Sequence, residues 1–394
     1  MEAFLQLVAS AKVWPSKLVT HRIPIADAER AYRIVTGELA EPYLAILLEY
    51  PEADWHTETR VELRSPQLEP LQRNTVRLGM VGAGSFARST LLPALTKVVL
   101  IDRRGLATAT GPSAQQTASR FGFTFAATDW RHVVDDPEVD AVVIATRHDL
   151  HAPAAAAALR AGKAVFVEKP MALTPTELDD VLEAWQSSGR VLQVGFNRRF
   201  APSYVRLKEE FVRRREPLMI AYRVNAGAVA VGSWVVDPVQ GGGRLIGEVC
   251  HMMDLLYDLA GCAMVSVFAQ PTGAGGGDSV ALTLRFEDGS VGTIVYASGG
   301  DRSLPKEQLE VLGGGQAAVL DDFRVLRLHA RGRTTRVGGL VASQDKGHAA
   351  ELRAFVEAVR TGRPAPVDPL DAAHVTRATF AAVESARTGL PVQL

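Results

Sequence analysis

Val76-Arg77-Leu78-Gly79-Met80-Val81-Gly82-Ala83-Gly84-Ser85-Phe86-Ala87 is the stretch on which the fold turns. Val76 to Val81 is a short apolar run and reads as a buried strand. The glycines then interrupt it, and helical spacing begins at Ser85 and runs to Lys97. Strand, glycine turn and helix in this order fit G-x-G-x-x-A. Gly82 allows a tight turn, Gly84 lets a pyrophosphate approach the backbone, and the small Ala87 lets helix and strand pack closely. Phosphate charge would rest on the helix N-terminus at Ser85 and Phe86. A plain strand–helix turn accounts for the same residues, so the flanking pattern has to decide.

That pattern continues downstream. Apolar runs at Ile101–Thr108, Phe123–Ala126, Ala141–Ala145, Ala164–Val167 and Val191–Val194 alternate with helical stretches at Ser113–Phe121, His151–Ala161 and Thr176–Ser187. Such alternation implies an α/β domain, a doubly wound parallel sheet covered on both faces. The run Ala154–Ala158 reads as helix surface. From Phe196 the grammar changes. Tyr222–Asn225, Val265–Gln270, Val280–Phe286, Gly292–Ser298 and Gln308–Leu312 are strand-like and split by tight turns, with helices at Ser203–Arg215, Glu248–Ala260 and His348–Arg360. Consecutive strands of this kind make an α+β domain on an antiparallel sheet. Upstream, Pro51, Pro66 and Pro70 among charged residues mark a linker. The expected organisation is an appendage over 1–60, a linker over 61–74, the doubly wound domain over 75–196 and the α+β domain over 197–394.

Composition narrows the function. With 43 basic and 44 acidic residues the formal net charge is −1, so nothing electrostatic points to nucleic acid or an anionic membrane. Apolar residues at 47% and charged residues at 22% are globular usage and exclude disorder. Cys250 and Cys262 are too few for a disulfide framework and lack the spacing of a metal site. No apolar run reaches the roughly 18 residues needed to span a bilayer, and the N-terminus lacks the basic start of a signal peptide. These features fit a cytoplasmic protein that acts on a small molecule.

Two constellations carry chemistry. Glu168 and Lys169 close the run Ala164–Val167, at the strand edge where an open parallel sheet binds its ligands. A lysine there would stabilise a developing alkoxide; the bland reading is a solvated ion pair. Further on, the glycines 241–243 lead to Glu248 and His251 and then to Asp254. On a regular helix Glu248 and Asp254 each share the face of His251, which would let a carboxylate orient the imidazole for proton transfer. A capped helix with an ordinary histidine is the alternative. Asp102 has the spacing of a ribose-binding acid if the second strand is Val98–Asp102. On the preferred strand, Ile101–Thr108, it lies mid-strand and the end at Thr108 and Thr110 carries no acid, which slightly favours NADP over NAD. Asn197 and Arg199 at the crossing between domains, with Asn225 and Trp234, are substrate candidates. Lys306-Glu307 and Asp345-Lys346-Gly347-His348 are polar turns with two readings, a cleft lining or, by default, a solvated turn.

Together these motifs resemble the glucose–fructose oxidoreductase/inositol dehydrogenase (Gfo/Idh/MocA) family, from Val76 to the C-terminus. The resemblance rests on Gly82-x-Gly84-x-x-Ala87, on Ala145-Thr146 followed by His151, and on Gly162 through Glu168-Lys169-Pro170. Val194 through Pro202 and His251-x-x-Asp254 complete it. It implies a Rossmann domain followed by a domain with an open, mostly antiparallel sheet, through which such proteins form homodimers or homotetramers. It also implies a bound NAD or NADP and oxidation or reduction of a sugar or cyclitol carbinol. Lys169 and His251 match the family's catalytic pair, and Lys169-Pro170 matches a peptide often cis there. Thr146 and His148 fall where the cofactor is contacted, although the usual Pro-Asn is Arg147-His148 here. The family's aspartate four residues before the histidine is Gly247 in this chain.

Residues Leu18–Tyr32 resemble instead the C-terminal tail of medium-chain, zinc-type alcohol dehydrogenases, and residues 1–60 read as a non-catalytic remnant with His21 structural. Two further readings stay open. One is a tightly bound, recycled cofactor giving net hydrolysis, epimerisation or elimination. The other is a non-catalytic nucleotide-binding regulator or scaffold.

Overall fold

The computed structural model describes residues 2–50, 59–64, 75–230, 232–273, 279–338 and 343–394. The chain divides into two units, Met1–Glu58 and Thr59–Leu394. In the first, helix α1 (Glu2–Ala9) precedes strand β1 (Val19–Pro24), helix α2 (Ala28–Val35) and strand β2 (Ala45–Glu49), with β1 and β2 paired in parallel. Its core is small: Ile23, Ala31 and Ile34 are buried, with Leu39, Ile46 and Leu48 packed against them. His21 is held by Thr20 at 3.0 Å and Glu41 at 3.4 Å, a structural setting.

The larger unit contains two sheets. The first has seven strands: β3 (Arg60–Glu62), β4 (Val76–Val81), β5 (Ile101–Ala107), β6 (Phe125–Ala127), β7 (Ala141–Ile144), β8 (Ala164–Val167) and β9 (Leu192–Val194). Their order is β3-β6-β5-β4-β7-β8-β9, parallel throughout except for β3. The order reverses between β4 and β7, and a crevice opens at such a switch point. β3 corrects the expected linker, because Arg60–Glu62 pairs with Phe125–Ala127 and closes an edge that would otherwise be open. The rest of that expected linker, from residue 65 to residue 74, lies outside the described residues.

Helix α3 (Leu92–Leu95) with the π-helical turn Ala87–Leu91 before it, α4 (Gly111–Phe121) and α5 (Arg131–Val134) follow the first strands. Helices α6 (His151–Arg160) and α7 (Pro175–Ser188) follow the later ones. Ala154, Ala155, Ala156 and Ala158 are buried, not on the helix surface. Their methyl side chains let α6 lie close against α7 and β8, which longer residues would prevent.

Helix α8 (Pro202–Phe211) leads into the nine-stranded second sheet, which starts at β10 (Met219–Asn225). Helix α9 (Cys250–Ala260) precedes β11 (Met264–Pro271), β12 (Val280–Phe286) and β13 (Val291–Ala297). β14 (Glu307–Gly313), β15 (Gln316–Asp321), β16 (Val325–Ala330) and β17 (Arg333–Val337) follow. Helices α10 (His348–Thr361) and α11 (Pro369–Thr388) come next, and β18 (Val392–Gln393) completes the sheet. Its order is β17-β16-β15-β14-β10-β13-β12-β11-β18, and only β10 and β13 run parallel. The architecture is a Rossmann sheet joined to an open, mostly antiparallel one.

A boundary at residue 197 does not describe the packing. Helix α10 turns back onto the Rossmann sheet, where Leu352, Phe355 and Val356 share a core with Leu78, Met80 and Phe166. The rings of Phe166 and Phe355 meet edge to face at 5.6 Å. Three apolar residues on the inner face of α10 therefore lock the two halves around the crevice.

Candidate active site

Gly82 has φ +89°, and a Cβ on it would lie 2.5 Å from the Ala145 carbonyl oxygen and 2.7 Å from the Thr146 nitrogen. Only glycine fits there. Its N–H donates to the Ala107 oxygen at 2.8 Å, which closes the turn at the end of β4. At Gly84 a Cβ would meet nothing within 4 Å, so this backbone faces open space. The following helix makes its first bond from the Arg88 N–H to the Gly84 oxygen, at 3.0 Å. The N–H groups of Ser85, Phe86 and Ala87 precede that bond and are free to take an anion. An open backbone cradle beside an unsatisfied helix terminus fits a pyrophosphate.

The cleft above it encloses about 1220 Å³. At one end it is lined by Thr108, Thr110, Ser113, Thr128 and Trp130, with no carboxylate among them. Asp102 is the second residue of β5, opposite Arg77 of β4 and far from the strand's C-terminal edge, and does not line the cleft.

Glu168 and Lys169 follow β8 at the C-terminal edge of the sheet, and the Lys169–Pro170 peptide is cis. The Lys169 Nζ donates to the Gly247 oxygen at 2.7 Å. An ammonium has three donors, so two remain for other acceptors. Burial pushes the Glu168 carboxyl up to about 7 against the opposing pull of Lys169. His251 enters from the other half of the unit, in the first turn of α9. It is 8% exposed, and its Nδ1 has no hydrogen-bond partner. Burial, then the cations Arg198 and Lys169, hold its imidazole well below the ordinary histidine range. A neutral His251 is therefore the resting state.

His148 Nδ1 bonds the Gly241 oxygen at 2.8 Å, and its ring meets Trp234 edge to face. Burial brings it down to about 3. A Cβ at Gly247 would lie 2.7 Å from His148 Cε1, so the imidazole occupies the space of the missing side chain. His151 bonds the Pro170 oxygen at 2.8 Å from inside the fold, tying the turn after β8 to α6.

The two carboxylates expected to orient His251 are engaged elsewhere. Glu248 accepts from the Tyr296 hydroxyl at 2.5 Å and pairs with Arg244 at 3.3 Å. It lies in a π-helical turn, Leu245–Val249, whose wider spacing removes it from the face of His251. Asp254 is buried on Arg199, whose Nε lies 3.0 and 2.9 Å from its two oxygens. Arg199 is accordingly an internal clamp, reaching Asp258 as well, and not a cleft residue. Asn225 also lies outside the cleft, donating to the Asp301 oxygen at 2.6 Å. Asn197 and Trp234 do line it, as do Thr146, His148 and His151.

Arg198, Lys306, Lys346 and His348 line the same cavity, and the two turns that carry three of them are not simply solvated. Glu307 shows why. It is 1% exposed and binds Arg198 and Lys346 together. The signal was in the alternation: Glu307 stands two and four residues before the inward-facing Leu309 and Val311, which aims its carboxylate inward. A buried carboxylate needs a cationic partner.

A glycine-cradle Rossmann sheet, with a lysine from its own edge and a histidine from a second domain facing one cleft, defines a nucleotide-binding oxidoreductase. Residues 76–196 match the model of the oxidoreductase family with NAD-binding Rossmann fold, and residues 215–394 match that family's C-terminal alpha/beta domain. The chain belongs to the Gfo/Idh/MocA oxidoreductase family. It is 30% identical over 310 residues to the scyllo-inositol 2-dehydrogenase (NAD(+)) of Bacillus subtilis, covering 71% of this chain and 85% of that one. With the levoglucosan dehydrogenase of Pseudarthrobacter phenanthrenivorans it shares 30% identity over 210 residues, 49% of this chain and 53% of the relative, so the match spans about half of that protein. A solved levoglucosan dehydrogenase in complex with NADH and L-sorbose superposes with a TM-score of 0.72 at 23% identity, covering 81% of this chain and 98% of the other; that likeness concerns the fold.

Proposed function

We propose that the protein is a nicotinamide-dependent dehydrogenase of a sugar or cyclitol, exchanging a hydride between the cofactor and a CH–OH carbon. The observation that carries this reading is that Lys169, after strand β8, and His251, on helix α9, line one cleft with the Gly82–Ala87 cradle. The bound nicotinamide would supply the hydride acceptor. Lys169 donates a hydrogen bond to the substrate hydroxyl oxygen and stabilises the charge that develops on it. His251 takes the hydroxyl proton. Its neutrality suits that role, because a base already protonated at working pH would be idle.

His251→Ala is expected to lower kcat/KM about 100-fold with the fold retained. The wild-type acid limb carries a second signature. Since the folded imidazole titrates below its ordinary value, the rate should hold as pH falls through 6.5 and drop only in more acid solution. Near-normal turnover in the variant would remove His251 from the chemistry.

The hydroxyl-lined end at Thr108, Thr110 and Ser113 supports acceptance of NADP at least as readily as NAD, since no carboxylate there repels a 2′-phosphate. Trp130 and Trp234 line the cleft and give a fluorescence readout for titrating each nucleotide. Equal or tighter binding of NADP is expected; NAD binding tenfold or more the tighter, about 1.4 kcal/mol, would refute it. The first 58 residues stand in this proposal as an appendage without a catalytic part.

A further inference from the structure

The end of the cleft opposite the hydroxyl-lined pocket is unbalanced in charge. Arg198 donates to both oxygens of Glu307, at 2.9 and 3.0 Å, and Lys346 reaches the same carboxylate at 2.5 Å. Two cations thus share one buried anion. Lys306, the neighbour of Glu307 in sequence, lines the same cavity with its side chain exposed and has no carboxylate partner among the described residues. Lys169 contributes another ammonium, bonded to a carbonyl and not to an acid.

The acids lining the cavity do not restore the balance. Glu248 is committed to Arg244 and Tyr296. Glu168 faces Lys169 and Arg198, but burial pushes its carboxyl up to about 7, so it does not fully offset them. Asp149, in the turn after β7, donates its N–H to the Gln240 oxygen at 3.2 Å, on the side of the cavity where Arg147 also bonds Gln240. Two histidines face the same field: after burial, the Arg198 guanidinium does most to lower both His251 and His348. A neutral polyol would leave this surplus facing it without a counter-charge. An anionic substrate would be drawn in by the field and held by charge-assisted hydrogen bonds.

We propose that the substrate carries an anionic group, a carboxylate or a phosphate, besides the carbinol that is oxidised, and that Lys306 with the Arg198–Lys346 pair receives it. The proposal rests on the reading of this cleft as the site of hydride exchange and adds the substrate's chemical class.

Binding is measured apart from turnover, so that the two readings can fail separately. The full chain, saturated with NAD, is titrated by calorimetry with D-glucose, D-glucuronate and D-glucose 6-phosphate. At least one anionic probe is expected to bind about 10-fold more tightly than glucose at low salt, with the advantage shrinking as ionic strength rises. The two anionic probes distinguish a carboxylate from a phosphate. Lys306→Ala should reduce the advantage to about threefold or less, a size in keeping with the loss of one partly solvated charge contact. Glucose binding as well as both anionic probes, or an advantage untouched by Lys306→Ala, overturns the anion site. Nicotinamide absorbance is followed in parallel. An anionic probe that binds with the expected advantage but transfers no hydride upholds the anion site and counts against the dehydrogenase assignment.

Discussion

Lys169→Ala is expected to lower turnover by about 10²- to 10³-fold, the range found when one preorganised donor to a developing oxyanion is removed. Nucleotide affinity should change far less, because the cradle at Gly82, Gly84 and the helix N-terminus does not depend on this side chain. Two secondary effects separate the loss of a catalytic group from general damage. Lys169 is one of the cations that hold His251 down, so the acid limb of the pH–rate profile should move upward when it is gone. It also opposes the burial that raises Glu168, whose carboxyl should then titrate above its present value of about 7. The stability cost should stay near 1 kcal/mol, since among the described residues the ammonium's one hydrogen bond is to the Gly247 carbonyl. Turnover within threefold of wild type, with the fold intact by circular dichroism, would exclude Lys169 from the reaction.

Much of this site was legible before any coordinates. The alternation of apolar runs and helices from Val76 to Val194 corresponds to six parallel strands in Rossmann order. Gly82 holds the turn that its place in the motif required, and Lys169 and His251 face one cavity. One failure has a local cause and the others a tertiary one. Glu248 was placed by regular helical spacing, and a π-helical turn lies where that spacing was applied. Asp254 does lie on a regular helix, yet its carboxylate is taken by Arg199, a partner 55 residues away that no local pattern discloses. The alanines of α6 were read from propensity, which is blind to close packing; tertiary contact decided their burial. The return of α10 onto the first sheet depends on Leu352, Phe355 and Val356 matching a surface built from residues more than 180 positions earlier. Periodicity can mark that face as apolar and cannot say what it covers.

The largest effect on stability is expected at Glu307. Its carboxylate is 1% exposed and receives Arg198 at two points, Lys346 and the Tyr222 hydroxyl at 2.6 Å. Glu307→Ala would leave a buried guanidinium and a largely buried ammonium facing each other, and breaking such a pair costs about 3–5 kcal/mol. For a unit of this size that corresponds to a fall in Tm of roughly 4–7 °C. Glu307→Gln keeps the shape and one acceptor but not the charge, so it should fall between the two. The pH dependence identifies the cause. Burial alone would raise this carboxyl, but Arg198 and Lys346 outweigh it and hold the group well below the usual carboxylate range. A group lowered in the folded state contributes stability that is complete above its unfolded value and is lost as pH falls toward the folded one. The gap in stability between wild type and Glu307→Gln should therefore be full at pH 7 and begin to close below about pH 4.5, the value taken for the unfolded carboxyl. A wild-type-like Tm for Glu307→Ala would mean that Arg198 and Lys346 are sufficiently solvated to stand alone. In that case the cleft would be far less polarised than its geometry indicates. If the Tm falls as expected while NAD still binds, Glu307 anchors the cationic end of the cleft separately from the nucleotide cradle. The turn at Asp345–His348, with Lys346 and His348 in the cleft wall, would then be held by this buried carboxylate together with the Asn197 amide, which donates to the Lys346 oxygen at 2.7 Å.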